Sequence, residues 1–254
     1  MDIDVTGTRR PAIHFTAPRN WLNDPNGLIW WEGRYHLFYQ HNPDAPEWDR
    51  PRWGHATSID LIRWQDEPIA LHPDAPFDEQ GCFPGCCVID DDGMRTWAKH
   101  DGPVISMPAP DQRPLTGFRD PFVRRQDDRT WQLVLGSGVP DQGGVVLRYA
   151  SKDLRNWTDE GVLLDQTKVD DPLAEGKLWE CPRLVRLPDR DVLLLSVHDG
   201  EPRHVVMVEG HLADGTFTVV RSSRMDDGDS LYAPHAFTTP GGARGRHGLA
   251  AQGG

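Results

Sequence analysis

Two stretches of this chain repeat one another. ATSIDLIRWQDEPIAL (56–71) and YASKDLRNWTDEGVLL (149–164) both run from Ala and Ser through Asp-Leu to a Trp, then to an acidic pair and a hydrophobic run. DDGMRTWAKHDGPVI (91–105) is a shorter relative. Copies of one supersecondary unit leave this kind of trace, which restricts the fold to a solenoid or a propeller. The segments between the copies choose between them. GLIWWEGRYHLFYQ reads as a hairpin about Glu32-Gly33. TWQLVLGSG, GVVLRYAS, CPRLVRL, DVLLLSV and HVVMVEG are short, β-branched or alternating, and bounded by Gly, Pro or Asp. No window of useful length carries a helical period, and 22 prolines and 25 glycines supply the turns that many short strands require. An all-β propeller is expected.

The period is uneven. Trp64 and Trp97 are 33 residues apart and Trp97 and Trp157 are 60 apart, whereas a four-stranded blade takes roughly 40–50 residues. The second blade is therefore expected to lack its middle strands.

With 254 residues the chain can bury a sizeable core. A net charge of −12 without any basic run of five residues excludes nucleic acid and anionic membrane surfaces as partners. No stretch is long and apolar enough for a membrane-spanning helix. The opening MDIDVTGTRRPAIHF lacks the pattern of a secretory signal, so a cytoplasmic location is expected. Cys82, Cys86, Cys87 and Cys181 fit no paired zinc spacing and read as buried reduced thiols. Ten tryptophans suit either blade packing or platforms beneath sugar rings.

Three acids share one local grammar. Asp24 in WLNDPNGL, Asp120 in GFRDPFV and Glu180 in WECPRLV each stand beside a Pro or one residue from it, at the head of a hydrophobic run. A single Asp-Pro followed by Asn26-Gly27 would be no more than turn chemistry; the repetition singles these acids out. The innermost strand of each propeller blade lines the central channel, so acids at the heads of different inner strands converge at one mouth. Carboxylates crowded there perturb one another's pKa values, leaving one protonated and another ionised. Acid–base cleavage of a glycosidic bond has that requirement.

On these residues the chain resembles glycoside hydrolase family 32, the β-fructofuranosidases that include invertases, levanases and inulinases. WLNDPNG, FRDP (118–121) and ECP (180–182) follow the family's three acidic motifs in order, and FYQHNP (38–43), WGHATS (53–58) and GCFPGCCV (81–88) follow its pattern as well. The resemblance implies a five-bladed propeller spanning residues 13–237, preceded by a tail over 1–12. It implies hydrolysis of terminal β-D-fructofuranosides, sucrose or fructans, with retention of configuration and without a metal or cofactor. Asp24 would be the nucleophile, Glu180 the general acid and base, and Asp120 a partner of fructose hydroxyls. Asn23, Gln40, Trp48, Trp53, Phe83 and Arg119 match positions that shape the fructose pocket. Duller readings stand beside these: Trp48 and Trp53 as blade packing, Asn23 and Gln40 as partners of backbone groups, and Arg119 as the ion-pair partner of Asp120, which it would keep ionised.

Family members carry a complete propeller and a following β-sandwich, for which this chain is too short. Residues 238–254, TTPGGARGRHGLAAQGG, show no strand pattern and are expected to be a flexible or out-of-frame tail. An incomplete ring leaves the scaffold in question, so the alternative function is a catalytically inactive, sugar-binding propeller remnant.

Overall fold

A computed structural model describes residues 14–89, 99–126, 129–228, 230–239 and 247–252. The repeat seen in the sequence is a repeat of blades. Strands β1 (Trp21–Trp31), β2 (Arg34–Asn42), β3 (Arg52–Ser58) and β4 (Trp64–Leu71) form one antiparallel sheet in the order β1-β2-β3-β4. A second contains β5 (Thr116–Arg125), β6 (Trp131–Val139), β7 (Gly143–Ser151) and β8 (Trp157–Asp165), and a third contains β9 (Leu178–Arg186), β10 (Asp191–His198), β11 (Pro202–Ala213) and β12 (Thr216–Arg224). Strand β13 (Tyr232–Thr238) pairs with β14 (His247–Gln252), which lies within the stretch that the sequence reading sets aside as a tail.

The matching residues make the same turn twice. In each copy it joins the third strand of a blade to the fourth. Ser58 Oγ accepts the Leu61 N–H at 2.9 Å, and Asp60 Oδ1 accepts those of Ile62 and Arg63 at 2.9 and 2.7 Å. Ser151 Oγ accepts the Leu154 N–H at 3.0 Å, and Asp153 Oδ1 accepts those of Arg155 and Asn156 at 2.9 and 2.7 Å. Leu61 and Leu154 both adopt φ of 62°, and the strand that follows starts at Trp64 or Trp157. Short polar side chains that bond to nearby backbone stabilise such turns. The sequence repeat is therefore the hydrogen-bond code of one loop. The third copy falls largely on residues outside those described.

Inner strands surround a common axis. Strand β1 packs against β13, β13 against β9, and β9 against β5. Between β4 and β5 the described residues contain no strand, as the uneven Trp spacing predicts. The segment around residues 82–87 occupies the gap there between β1 and β5: the Gly27 N–H donates to Gly85 O at 3.4 Å, and the Val123 N–H donates to Cys86 Sγ at 3.0 Å. The four cysteines are free thiols.

The largest core cluster joins the β5–β8 and β9–β12 blades. It contains fully buried Trp179, Leu193, Val206 and Val146, with Phe217 beside them. The Trp179 indole N–H donates to Ala174 O at 2.8 Å, so burying this ring leaves no donor unpaired. Gly144 on β7 lies against that ring, and a Cβ there would collide with it. Gly144→Ala is expected to destabilise the protein by about 1–3 kcal/mol, read from a denaturant melt; an unchanged midpoint would contradict this packing.

Candidate active site

The site is assembled from an irregularity shared by the inner strands. Each inner strand is an edge of its sheet, so a Pro there removes no ladder bond. Pro25, Pro121, Pro182 and Pro234 all sit at breaks of register between the inner strand and its neighbour. At three of them the preceding residue has positive φ: Asp120 at 62°, Cys181 at 48° and Ala233 at 49°. Such bulges re-aim side chains, here towards the axis. The residue before Pro is Asp24 or Asp120 on two strands, and the residue two before Pro is Glu180 or Tyr232 on two others.

Asp24 and Glu180 line one cleft of about 530 Å³, with Trp21, Asn23, Trp48 and Tyr232 in its walls. Glu180 is buried and held at both oxygens. Its Oε1 accepts from Arg119 Nη1 at 3.0 Å, and its Oε2 accepts from the Tyr232 hydroxyl at 2.6 Å. Burial first and the Glu180 charge second push the Tyr232 phenol far up, so it remains a donor. Asp120 lies deeper; its Oδ2 accepts the Cys181 N–H at 3.0 Å and its Oδ1 has no protein partner. Burial raises Asp24 to about 6, and the nearby Glu180 charge adds to the shift. Burial raises Asp120 to about 7, with Glu180 and then Asp24 adding to it. The three acids thus form one electrostatic cluster.

The other expected residues divide into wall and support. The Trp21 indole donates to Asn23 Oδ1 at 2.8 Å, and the Asn23 amide donates to Gln40 Oε1, which fixes the side chain next to the nucleophile candidate. Gln40 is buried. Trp48 and Phe83 are exposed aromatic faces with ring centroids 6.3 Å apart, suited to stacking on a sugar ring. Trp53 is buried in a cluster with Phe38 and donates its indole N–H to Phe83 O at 3.0 Å, so it supports the wall from behind. The duller alternative, an ion pair of Arg119 with Asp120, is not made among the described residues. Arg119 turns to Glu180, while Asp120 is re-aimed into the buried channel by its own positive φ. Its carboxyl is accordingly raised, not depressed.

Two further residues beside the acids lie outside those expected from sequence. Tyr232 lies in Tyr-Ala-Pro, which has the spacing of Glu-Cys-Pro, and that grammar could have found it. Arg183 directly follows Glu-Cys-Pro, and nothing in the local pattern marks it.

The model of the glycosyl hydrolases family 32 N-terminal domain matches residues 14–96 and 88–251. The chain belongs to this family. An Escherichia coli sucrose-6-phosphate hydrolase is 34% identical over 271 residues, covering 92% of this chain and 55% of its own length. A Bacillus subtilis levanase is 36% identical over 216 residues, covering 70% of this chain and 29% of its own. Among solved structures, a Bombyx mori GH32 beta-fructofuranosidase is similar with a TM-score of 0.76 and 30% identity, over 91% of this chain and 56% of that one. A Cichorium intybus fructan 1-exohydrolase IIa is similar with a TM-score of 0.76 and 26% identity, over 95% and 53%. This family 32 chain spans about half the length of the relatives it matches. Its sheets are blades of the family's β-propeller, present in part.

The raised carboxyls have a consequence for stability in this glycosidase fold. Asp24 and Asp120 titrate higher folded than unfolded, so their contribution is fully present below about pH 4 and is lost as pH rises through 6 and 7. Burial lowers His55 to about 4 and drives His235 well below 6.5, and these groups act in the opposite direction. A variant difference isolates one carboxyl from the rest. Asp120→Asn is expected to raise Tm strongly at pH 8, where it removes a buried charge, and to raise it much less at pH 5, where only part of the contribution has been lost. Equal differences at both pH values would contradict the cluster.

Proposed function

We propose that this chain hydrolyses terminal β-D-fructofuranoside bonds, in sucrose or a fructan, by a retaining double displacement. The observation that carries the reading is the placement of Asp24 and Glu180 in one cleft, with Glu180 held between Arg119 and Tyr232. Asp24, ionised above about pH 6, attacks the anomeric carbon. The C–O bond to the leaving group breaks as Glu180 delivers a proton to that oxygen. Glu180 then takes a proton from water, which attacks the fructosyl–Asp24 ester and releases fructose with its original configuration. A retaining double displacement requires the two carboxyls about 5–5.5 Å apart. Asp120 receives fructose hydroxyls deep in the channel, Asn23 and Gln40 hold the nucleophile's flank, and Trp48 and Phe83 form the apolar rim. Sucrose-6-phosphate hydrolase, levanase and fructan exohydrolase among the relatives support the fructoside class, and a variant of the Bombyx mori enzyme was solved with sucrose.

The test is fructose release from sucrose, inulin and levan by the purified chain. Adding methanol should also yield methyl β-fructofuranoside, the retained product of a trapped intermediate. No release from any of them overturns the reading. In that case a sucrose-dependent rise in Tm would identify the inactive sugar-binding alternative.

A further inference from the structure

Arg183 is fully buried on β9, three residues beyond Glu180. Its Nη1 donates to Pro182 O at 3.1 Å, and its guanidinium lies over the Phe122 ring at 5.5 Å. Nε and Nη2 have no hydrogen-bond partner, and among the described residues no carboxylate is in ion-pair contact with it. A guanidinium cannot lose its proton, and burying one without a counter-charge costs several kcal/mol. An apolar side chain would fill the space over Phe122 without that cost. Something else in the channel must make a cation favourable there.

Geometry sets it beside the acids: Phe122, beneath its guanidinium, is two residues beyond Asp120, and Asp120 accepts the N–H of Cys181, two residues before Arg183. Its charge favours the ionised form of Asp120 and, after the Asn23 hydrogen bond, of Asp24. His235 stays neutral, because burial and then Arg183 itself hold its pKa far below 6.5, and the buried thiols of Cys86 and Cys181 are raised by their surroundings. The acids are the charges that remain. Arg119, the cation in contact with Glu180, leaves 43% of its side chain exposed and is correspondingly screened.

We infer that Arg183 is the buried counter-charge of the carboxylate cluster, a positioning residue that keeps the Asp24 nucleophile anionic beside Glu180 and Asp120. The inference rests on the proposed fructosidase chemistry for its catalytic meaning and on the channel geometry for its physical one. A cation nearby favours the ionised carboxylate, so removing it moves ionisation to higher pH.

The experiment has two arms. In the first, the acidic limb of kcat/KM on sucrose is measured for the parent, Arg183→Gln and Arg183→Lys. The parent limb should fall near pH 6. Arg183→Gln should move it to higher pH with kcat above the limb largely kept, and Arg183→Lys should leave it in place. A limb that stays where it was in Arg183→Gln overturns the inference. In the second arm, Tm at pH 8 is measured for Arg183→Gln in the parent and in the Asp120→Asn background. The loss should be smaller in the second background, where one of the acids is already neutral; equal losses overturn the inference. If Arg183→Gln alone shows no cooperative melt, recovery of one in the double variant supports it, and no recovery overturns it. Should the parent release no fructose, the proposed function fails by itself and the second arm still decides the role of Arg183.

Discussion

Asp24→Ala is expected to slow fructose release from sucrose by on the order of 10⁴-fold or more, while the protein melts at least as high as its parent. The rate loss follows from the role: without the carboxylate no covalent intermediate forms, and a displaced nucleophile typically costs that much or more. The stability expectation follows from the cluster. Asp24 is raised to about 6 by burial and by the Glu180 charge, so at pH 8 it is held ionised against its surroundings. Removing it relieves that opposition, and the cavity left by a carboxyl in an open cleft is small. The two readouts together separate chemistry from folding. Activity lost along with the melt would show only that the turn at Asn23-Asp24-Pro25 is needed for folding, and activity retained would remove Asp24 from the mechanism. Asp24→Asn, with nearly the same shape, should lose activity equally.

Much of the fold and of the cleft is legible in the amino-acid sequence. The Ser-x-Asp-Leu…Trp repeat announces blades because one loop reuses the same side-chain hydrogen bonds, and such local codes survive in sequence. Asp24, Asp120 and Glu180 are visible for the same reason, since each sits at a Pro bulge with local grammar. What stays hidden depends on contacts distant in the chain. Adjacency pairs Arg119 with Asp120, yet a positive φ at Asp120 turns the neighbouring side chains apart and Arg119 meets a residue 61 positions away. Trp53 reads as a pocket wall or as blade packing, and its bond to Phe83 O, a relation 30 residues long, is not written in either reading. Arg183 carries no local signal because its meaning comes from the charges of other strands. The pairing of β13 with β14 is masked by a Gly-rich and alanine-rich composition with little β-propensity.

Glu180→Gln should lower kcat/KM on sucrose by on the order of 10³-fold with little loss of Tm. The amide can replace the acid within the existing contacts. Its oxygen accepts from Arg119 as Oε1 does now, and its NH₂ can donate to the Tyr232 oxygen, because a phenol both donates and accepts. What the amide cannot do is give up a proton to the leaving oxygen. The loss should therefore depend on the leaving group: large for sucrose, whose glucosyl oxygen needs the proton, and small in kcat/KM for an activated aryl fructofuranoside that departs without one. With that activated substrate the intermediate should accumulate, since hydrolysis lacks its base, and added azide should speed turnover by attacking the fructosyl–Asp24 ester with no proton to remove. Equal losses on both substrates, with azide inert, would take Glu180 out of the proton-transfer role and leave it a binding group. The opposite pattern assigns the proton to the one carboxyl that Arg119 and Tyr232 grip at both oxygens, and it separates that carboxyl's task from that of Asp24 across the same cleft.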